Sequence, residues 1–543
     1  MRVKFWMIRI VFVGIFSVLI GHMYSLQINN GEYYHQRAEA REEASGKFIP
    51  TRGVVYITDK HQTKIPAVVN KEYPLVYAVP TEIQDPQESA HRLASIVGKD
   101  VKELISSFSK ANDEYELLID KATPMQVSQL RELNEEGVYI KEVVSRFYSL
   151  GTMASHLFGF ISPSQDGTVA GRYGVELEFE DMLRGVEGNS KKDASHDPIA
   201  GSDLYLTIDR NIQAESERIL GNLFNEWGAE GGSVIVQEPD TGKILAMANE
   251  PTFDPNTYSK ANLRDYLNGS VELLYEPGSV FKVLTIAAGI DSGAITPQTT
   301  YVDKGYLTLN GRTIRNWDKK TYGLQTMTNV IENSLNTGSA FAESKTGHET
   351  FTAYIKRFGF GTKTGIELPG EVSGDVSNLD NGRDINYATA SFGQGISVTP
   401  IQLISSFSSI ANGGVLMRPI IRQDDTPEVV RRVIQPETAE QVTDMMVSAV
   451  DKNILAHVAQ YRVAGKTGTA NIPNFKSGGY TDDVINTFVG FAPAHDPKFV
   501  VLIKLDHPKG APLAGQTVVP AFKKMTQFLL NYYEVPPDRA GEN

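Results

Sequence analysis

The first hydrophobic feature of the chain is an apolar stretch from Phe5 to Leu26, interrupted by one arginine and one histidine. A helix needs about 20 residues to cross the hydrocarbon core of a bilayer, and this stretch reaches that length. Residues 22–27 offer no small-residue cleavage site of the kind that ends a signal peptide. We therefore predict an uncleaved transmembrane anchor within residues 1–27, with Arg2 and Lys4 left in the cytoplasm. A buried helix of a soluble protein is the alternative, which the N-terminal position and the basic flank disfavour.

Between the anchor and the middle of the chain, short strands alternate with amphipathic helices, and no residue pattern there indicates chemistry. The clearest helical segments are Asp85–Ser109 and Met125–Glu136, and a turn at Pro50–Gly53 leads into a strand. A polar linker over residues 188–197 separates two regions of different character. We predict a non-catalytic α+β module over residues 28–200.

The segment after this linker has apolar strands at both of its ends and helices between them. Its predicted strands are Leu204–Asp209, Ser233–Gln237, Lys243–Ala248, Thr487–Ala492 and Phe499–Leu505, and its clearest helices are Asn211–Trp227 and Pro520–Tyr533. This order predicts an α+β domain over residues 201–534 whose sheet takes strands from both ends of the segment. Residues 535–543 would form a tail.

The composition narrows the classes of function. With 41% hydrophobic and 22% charged residues, the chain is globular rather than disordered or polytopic. Its formal net charge of −13 argues against nucleic acid as a partner, because phosphate recognition needs clustered lysine and arginine. The absence of cysteine excludes thiol nucleophiles and thiolate metal sites. Since the histidines lack metal-ligand spacing as well, we predict no metal and no cofactor.

Two serine–lysine pairs are candidates for a nucleophile and its base. Each places a hydroxyl and an amine three residues apart, on one face of a helix. Ser107 and Lys110 lie in a polar stretch that we expect to end a helix at the surface. Ser279 and Lys282 follow a helix-start signal at Pro277 and open an apolar segment. Spacing alone does not choose between the two pairs.

The segment Val280–Ile290 is apolar on all sides, which predicts a buried helix with Lys282 as its only charge. Burial disfavours an ammonium group and lowers the pKa of a lysine, as a general base requires. The alternative is a lysine that extends to the surface, which a helix apolar all round disfavours. Free backbone amides at the helix N-terminus would lie near Ser279, so we choose Ser279 as the nucleophile.

Ser334-Leu335-Asn336 is the only Ser-x-Asn sequence in the chain. It precedes a Thr-Gly-Ser sequence, so we expect a turn beside a helix. Alone it fits a helix cap or a turn as well as a catalytic site.

Lys-Thr-Gly occurs three times, and the context favours one copy. Lys345 begins the copy in a helical run, Lys363 the copy in a glycine-rich turn, and Lys466 the third. Alternating small residues around Lys466 suit an edge strand beside a ligand, because glycine lets two backbones approach closely. We choose Lys466 for the site and assign the other two lysines structural positions.

The three motifs, in this order, resemble the three-part signature of penicillin-binding proteins and class A β-lactamases. Leu335 stands where that signature has aspartate. The block Tyr275–Lys282 also resembles the YEPGSxFK sequence of class B penicillin-binding proteins. Further blocks that resemble this family are Arg52-Gly53, Gly174–Glu176, Leu183–Gly185, Leu206–Asp209, Gly242–Ala248 and Ser391–Gly395. Residues 58–62 depart from the family's DRNG sequence, outside the active site.

The resemblance implies the α+β transpeptidase fold that penicillin-binding proteins share with β-lactamases, an antiparallel sheet with helices. An elongated N-terminal module and one transmembrane helix would precede it. The implied enzyme is a serine D,D-transpeptidase that cross-links peptidoglycan stem peptides ending in D-Ala–D-Ala, and β-lactam antibiotics would inhibit it. It would be a single-pass protein of the bacterial cytoplasmic (inner) membrane with its catalytic domain outside. Its implied partner in cell division or elongation is a polytopic glycosyltransferase of the shape, elongation, division and sporulation (SEDS) family.

The resemblance also carries roles onto the matching residues. Ser279 would attack the D-Ala–D-Ala carbonyl, with Lys282 as the general base. Ser334 would relay a proton to the leaving amine with help from Lys466, and Asn336 would bind the substrate amide. The substrate-binding residues would be Thr467, Gly468 and Thr469. The backbone amides of Ser279 and Thr469 would form the oxyanion hole.

Several alternatives remain open on the sequence. A β-lactamase shares the motifs but needs a base that activates water, and the chain has no convincing equivalent of the Glu-x-x-Leu-Asn motif. A D,D-carboxypeptidase would use water as the acceptor. A β-lactam sensor or a non-catalytic wall scaffold is the alternative from another class. The intact motifs argue against the scaffold, and a single anchor helix argues against the sensor.

Overall fold

The computed structural model describes residues 50–110, 113–163, 169–186, 198–380, 382–453, 455–474, 478–510 and 513–539. The predicted anchor and the predicted linker lie outside the described residues. Within the described part of the chain, no helix has both the length and the hydropathy needed to cross a membrane.

The chain divides into two compact units. The first comprises the described residues of Met1–Gly53, Asn70–Ser145 and Arg184–Ser202. The second comprises those of Val54–Val69, Arg146–Leu183 and Asp203–Asn543.

Strands and helices alternate along the described residues. The strands are β1 (Val55–Thr58), β2 (Ile65–Ala78), β3 (Glu116–Ile119), β4 (Val138–Tyr148), β5 (Ile161–Pro163), β6 (Val169–Gly171), β7 (Leu204–Asp209), β8 (Gly231–Gln237), β9 (Ile244–Glu250), β10 (Thr300–Asp303), β11 (Tyr306–Leu309), β12 (Arg312–Arg315), β13 (Gly323–Thr326), β14 (Val415–Met417), β15 (Val429–Arg432), β16 (Ala464–Pro473), β17 (Tyr480–Ala492) and β18 (Phe499–Asp506). The helices are α1 (Pro86–Val97), α2 (Val101–Phe108), α3 (Pro124–Leu133), α4 (Ser155–Phe158), α5 (Gly174–Glu178), α6 (Glu180–Arg184), α7 (Arg210–Glu226), α8 (Lys282–Asp291), α9 (Met327–Glu332), α10 (Asn336–Thr346), α11 (His348–Arg357), α12 (Asp384–Ala390), α13 (Pro400–Ala411), α14 (Pro436–Lys452) and α15 (Val518–Tyr532). Short 3₁₀ turns connect some of them.

In the first unit, helices α1, α2 and α3 share a core with the end of β2 and with β3, which pair antiparallel. The helical segment predicted over Asp85–Ser109 is confirmed as helical, but it is divided into two helices. Gly98 ends α1 in a left-handed conformation (φ 71°), and the Asp100 side chain caps the start of α2. The helix predicted over Met125–Glu136 ends early for the same physical reason, since Asn134 has φ 45°.

The second unit is built on a five-stranded antiparallel sheet in the order β16-β17-β18-β8-β9. This order confirms the prediction that one sheet takes strands from both ends of the segment, except that the predicted strand Leu204–Asp209, now β7, lies outside this sheet and pairs in parallel with β1. Helices α7 and α15 cover one face, where Val234 and Val501 lie, and α13 covers the other, where Ile235 and Leu502 lie. The strands are continuously apolar rather than alternating because both faces are buried.

Helix α8 runs through the centre of the helical part of this unit. Its side chains from Lys282 to Gly289 are all buried, which confirms the predicted buried helix. Between α8 and α9, the chain forms two small antiparallel pairs, β10 with β13 and β11 with β12. The buried Asp303 carboxylate ties this excursion to α10, because it accepts hydrogen bonds from Thr337 Oγ1 (2.6 Å) and Asn316 Nδ2 (3.0 Å).

Candidate active site

Ser279 lies in a 3₁₀ turn, Gly278–Phe281, directly ahead of α8. The regular helix begins at Lys282, later than the sequence suggests. Gly278 has φ 61°, and its amide donates to the Gly393 carbonyl at 3.0 Å. A Cβ at Gly278 would lie 3.1 Å from the Thr469 carbonyl oxygen, so the turn and β16 approach closely. Ser279 itself is half-buried and stays open to solvent.

Lys282 is completely buried and is directed at the serine. Its Nζ lies 3.0 Å from Ser279 Oγ, donates to the Ser334 carbonyl at 2.6 Å and lies 3.1 Å from Ser334 Oγ. Burial, followed by the nearby Lys466 amine, holds the pKa of Lys282 well below its usual range. A neutral amine at this distance can accept the serine proton.

Ser334 links the two lysines of the site. It lies between α9 and α10 with φ 56°, a left-handed conformation that turns the chain at the start of α10. Its hydroxyl oxygen is 3.1 Å from Lys282 Nζ and 3.1 Å from Lys466 Nζ. A hydroxyl between two amines can pass a proton from one side to the other.

Lys466 enters from β16 and is 3% exposed. Its amine also lies 3.1 Å from the Thr467 carbonyl and 3.2 Å from Thr467 Oγ1. Burial lowers the pKa of Lys466 to about 7. Two amines that share one hydroxyl repel each other when both are charged, so the site favours states with at most one ammonium.

Strand β16 forms the edge of the five-stranded sheet, as the small residues around Lys466 predict. Thr467 and Thr469 are half-buried, whereas Gly468 is buried between them. A Cβ at Gly468 would lie 3.0 Å from Val280 Cγ1 and 3.1 Å from the Pro277 carbonyl. The glycine therefore permits the close contact between the strand and the turn Gly278–Phe281.

Asn336 and Leu335 complete the second motif. Asn336 opens α10, and its Nδ2 donates to the Arg315 carbonyl at 2.8 Å. Leu335 is fully buried in the large core. The aspartate of the family signature is therefore replaced by a residue whose side chain packs in the core.

The other copies of the motifs lie outside this constellation. Lys345 and Lys363 are exposed, in α10 and in a turn. Ser107 lies in the last turn of α2, near the expected helix end, but the expectation of a surface position is wrong, because Ser107 is 8% exposed. Its hydroxyl donates to Glu116 at 3.0 Å, and Lys110 forms an ion pair with the same carboxylate at 2.7 Å.

The sequence interpretation gave no role to three residues that support the turn. The half-buried Glu276 accepts from the Gly395 amide at 2.9 Å and from the Tyr480 hydroxyl at 3.0 Å. Burial raises the pKa of Glu276. Glu276 and Gly395 lie in family-like blocks, which is a signal that could have found them, whereas no pattern marks Tyr480 at the start of β17.

Comparisons with known proteins identify the relatives of this chain. Residues 232–527 match a family model for the penicillin binding protein transpeptidase domain. Residues 48–201 match one for the penicillin-binding protein dimerisation domain. The chain is 33% identical to stage V sporulation protein D of Bacillus subtilis (strain 168), over 94% of this chain and 83% of that protein. It is 28% identical to peptidoglycan D,D-transpeptidase FtsI of Escherichia coli (strain K12), over 96% of this chain and 90% of that protein.

A solved structure shows the same fold. Penicillin binding protein 3 from Mycobacterium tuberculosis, complexed with aztreonam, matches with a TM-score of 0.68 and 26% sequence identity. The match covers 91% of this chain and 99% of that one.

The chain therefore belongs to the penicillin-binding protein family, with a dimerisation domain ahead of a transpeptidase domain. Within that family it is a class B member, and its activity is that of a peptidoglycan D,D-transpeptidase. The resemblance that the motifs indicate is thus confirmed.

Proposed function

We propose that Ser279 is the residue acylated in D,D-transpeptidation and that Lys282 is its general base. The observation that carries the proposal is one hydrogen-bonded row, in which Lys282 contacts Ser279 and the Ser334 hydroxyl bridges Lys282 to Lys466. Burial of both amines supports it further, because only a neutral amine can take a proton.

In the proposed acylation step, Ser279 Oγ attacks the carbonyl of the D-Ala–D-Ala bond while its proton moves to Lys282. The C–N bond then breaks. Ser334, assisted by Lys466, delivers a proton to the departing D-alanine amine. The acyl group remains as an ester on Ser279.

In the proposed second step, an amine from a neighbouring stem peptide attacks the ester carbonyl. Its proton returns through the same row to Ser279 Oγ as the C–O bond breaks. The product is an amide cross-link and free enzyme. A β-lactam would follow the first step only and leave Ser279 blocked.

The remaining motif residues have proposed roles in binding. Thr467 and Thr469, with the charge of Lys466, would hold the terminal carboxylate of the donor peptide, and Gly468 would keep β16 close to the turn. Asn336 would bind the substrate amide through its side-chain carbonyl, because its Nδ2 is occupied by Arg315. The backbone amides of Ser279 and Thr469 are the proposed oxyanion hole.

The cellular setting is also a proposal. Residues 1–27 would be a cytoplasmic tip and single membrane anchor, 28–200 the non-catalytic domain, 201–534 the transpeptidase domain and 535–543 a tail. The apolar stretch from Phe5 to Leu26 supports the anchor, and the two matched family models support the division. A SEDS glycosyltransferase in the bacterial inner membrane is the proposed partner.

Fluorescent penicillin tests the proposal on the full-length protein in detergent. We expect wild type and the matched control Ser107→Ala to be labelled, and Ser279→Ala to remain unlabelled. An unlabelled wild type, or a labelled Ser279→Ala, would contradict the assignment. Persistence of the label distinguishes a transpeptidase from a β-lactamase, which would release it within seconds.

A further inference from the structure

The segment between α8 and α9, beside the second motif, carries a net positive charge, which is unusual in this acidic chain. Residues 304–320 include five basic side chains and one acidic side chain, in a protein of net charge −13. We refer to six of its exposed aromatic and basic residues as the basic rim: Tyr306, Arg312, Arg315, Trp317, Lys319 and Lys320.

The cations of the rim are available to a ligand. Within the described residues, Lys320 contacts Asp318 at 3.7 Å, whereas Arg312, Arg315 and Lys319 form no ion pair. Arg315 stands directly opposite Tyr306 in the pairing of β11 with β12, and its guanidinium lies 5.7 Å from the ring centroid. The ring holds the planar guanidinium in place, which suits bidentate recognition of a carboxylate.

Trp317 adds an apolar surface to the rim. It is 58% exposed, and its indole nitrogen donates to the Asn333 carbonyl at 3.4 Å. A tryptophan with one face in water and its polar atom bound offers a rigid surface for a sugar ring or a peptide.

The rim is joined to the candidate active site on both sides of Ser334. Trp317 contacts Asn333, and the Arg315 carbonyl accepts from Asn336. In the proposed function the donor peptide lies along β16, which leaves the second substrate without a binding surface. That substrate is an uncross-linked glycan strand, whose stem peptides each end in a carboxylate.

We propose that the basic rim binds this second strand, with Arg315 and its neighbouring cations on peptide carboxylates and Trp317 against the strand. The inference rests on the proposed function, since only a transpeptidase needs a second peptide strand. Charge complementarity selects the occupant, and the contacts beside Ser334 explain why it binds here.

The test measures binding of soluble, uncross-linked glycan strands to the full-length protein in detergent, after penicillin has acylated Ser279 in every variant so that the donor position along β16 is already occupied. The double variant Arg315→Glu/Lys319→Glu should bind these strands about tenfold more weakly than wild type. The matched control Arg210→Glu/Lys524→Glu changes the charge equally at exposed positions of α7 and α15, and should bind like wild type. Strands whose carboxylates have been amidated should bind wild type about tenfold more weakly too.

The strand-binding results and the penicillin labelling test the inference and the proposed function separately. Equal binding by the rim variant and the control, or equal binding of amidated strands, would overturn the rim as a strand site. A rim variant that keeps strand binding but loses binding of a water-soluble short-chain phosphatidylglycerol would assign the rim to an anionic lipid surface and overturn the proposal. Labelling of wild type by fluorescent penicillin reports the proposed function independently. The amidated strands test the inference on wild type even if a variant fails to fold.

Discussion

Replacement of Lys282 by methionine is the most direct perturbation of the proposed mechanism. Methionine keeps most of the side-chain volume inside an apolar helix but removes the amine. A positioned general base contributes about 10²–10⁴-fold to a rate, so we expect acylation to slow by about that factor. Ser279 would keep its position, because the turn is held by backbone contacts to Gly393 and β16.

The same substitution should change stability little. The Ser334 carbonyl loses a hydrogen bond of 2.6 Å from Lys282, and a buried acceptor without a partner costs about 1–3 kcal/mol. Removal of a buried ionisable amine beside Lys466 offsets much of that cost. We therefore expect a net change on the order of 1 kcal/mol.

The assay is the time course of fluorescent penicillin labelling at neutral pH, with thermal unfolding measured in parallel. Lys110→Met, in the other Ser-x-x-Lys sequence, is the matched control and should label like wild type. The reasoning is refuted if Lys282→Met labels at a rate close to wild type while its unfolding is unchanged.

Three further predictions concern the supports of the site. Glu276→Gln keeps an oxygen that accepts from the Tyr480 hydroxyl, so fluorescent penicillin should label it like wild type. Glu276→Ala loses this acceptor and should be labelled about tenfold more slowly. Equal labelling rates for Glu276→Ala and wild type would contradict a positioning role for Glu276. Gly393→Ala would place a Cβ 2.3 Å from the Gly278 carbonyl oxygen, on a residue whose φ is 77°. The free energy of unfolding should therefore fall by more than about 1 kcal/mol in denaturant titrations. An unchanged midpoint would contradict this contact. Since burial lowers the pKa of Lys466 from 10.5 to about 7, the unfolded chain binds more protons between these pH values and stability rises with pH. Lys466→Met should lose up to about 1.4 kcal/mol per pH unit of that slope, and an identical slope would show that this amine does not titrate as described.

The sequence predicted the features that depend on hydrophobic pattern. Most of the apolar run Val280–Ile290 forms the buried helix α8, which begins at Lys282, and apolar segments from both ends of the catalytic region form one sheet. The alternating small residues around Lys466 indicated an edge strand beside a ligand, because glycine lets two backbones approach closely.

What the sequence could not predict depends on single backbone angles and distant contacts. The chain leaves the helix at Gly98 because this residue adopts a left-handed backbone conformation. Glycine permits that conformation but does not require it, so the sequence alone does not predict the break. The bond from Tyr480 to Glu276 joins residues far apart in the chain, so no local pattern reveals it. Burial of Ser107 likewise arises from the strand that faces it rather than from its polar neighbours.

The strand order of the central sheet determines when the enzyme becomes competent during synthesis. Strand β18 alone joins the β16–β17 hairpin to β8, so the two halves of the sheet meet only after β18 has emerged. Until then the turn Gly278–Phe281 has been synthesised, but β16, which carries Lys466, has not yet been joined to the rest of the sheet. Such long-range strand pairing forms slowly, because distant segments must first be brought together. If Ser279 is the acylated residue, as proposed, the chain gains its reactivity only when β18 completes the sheet.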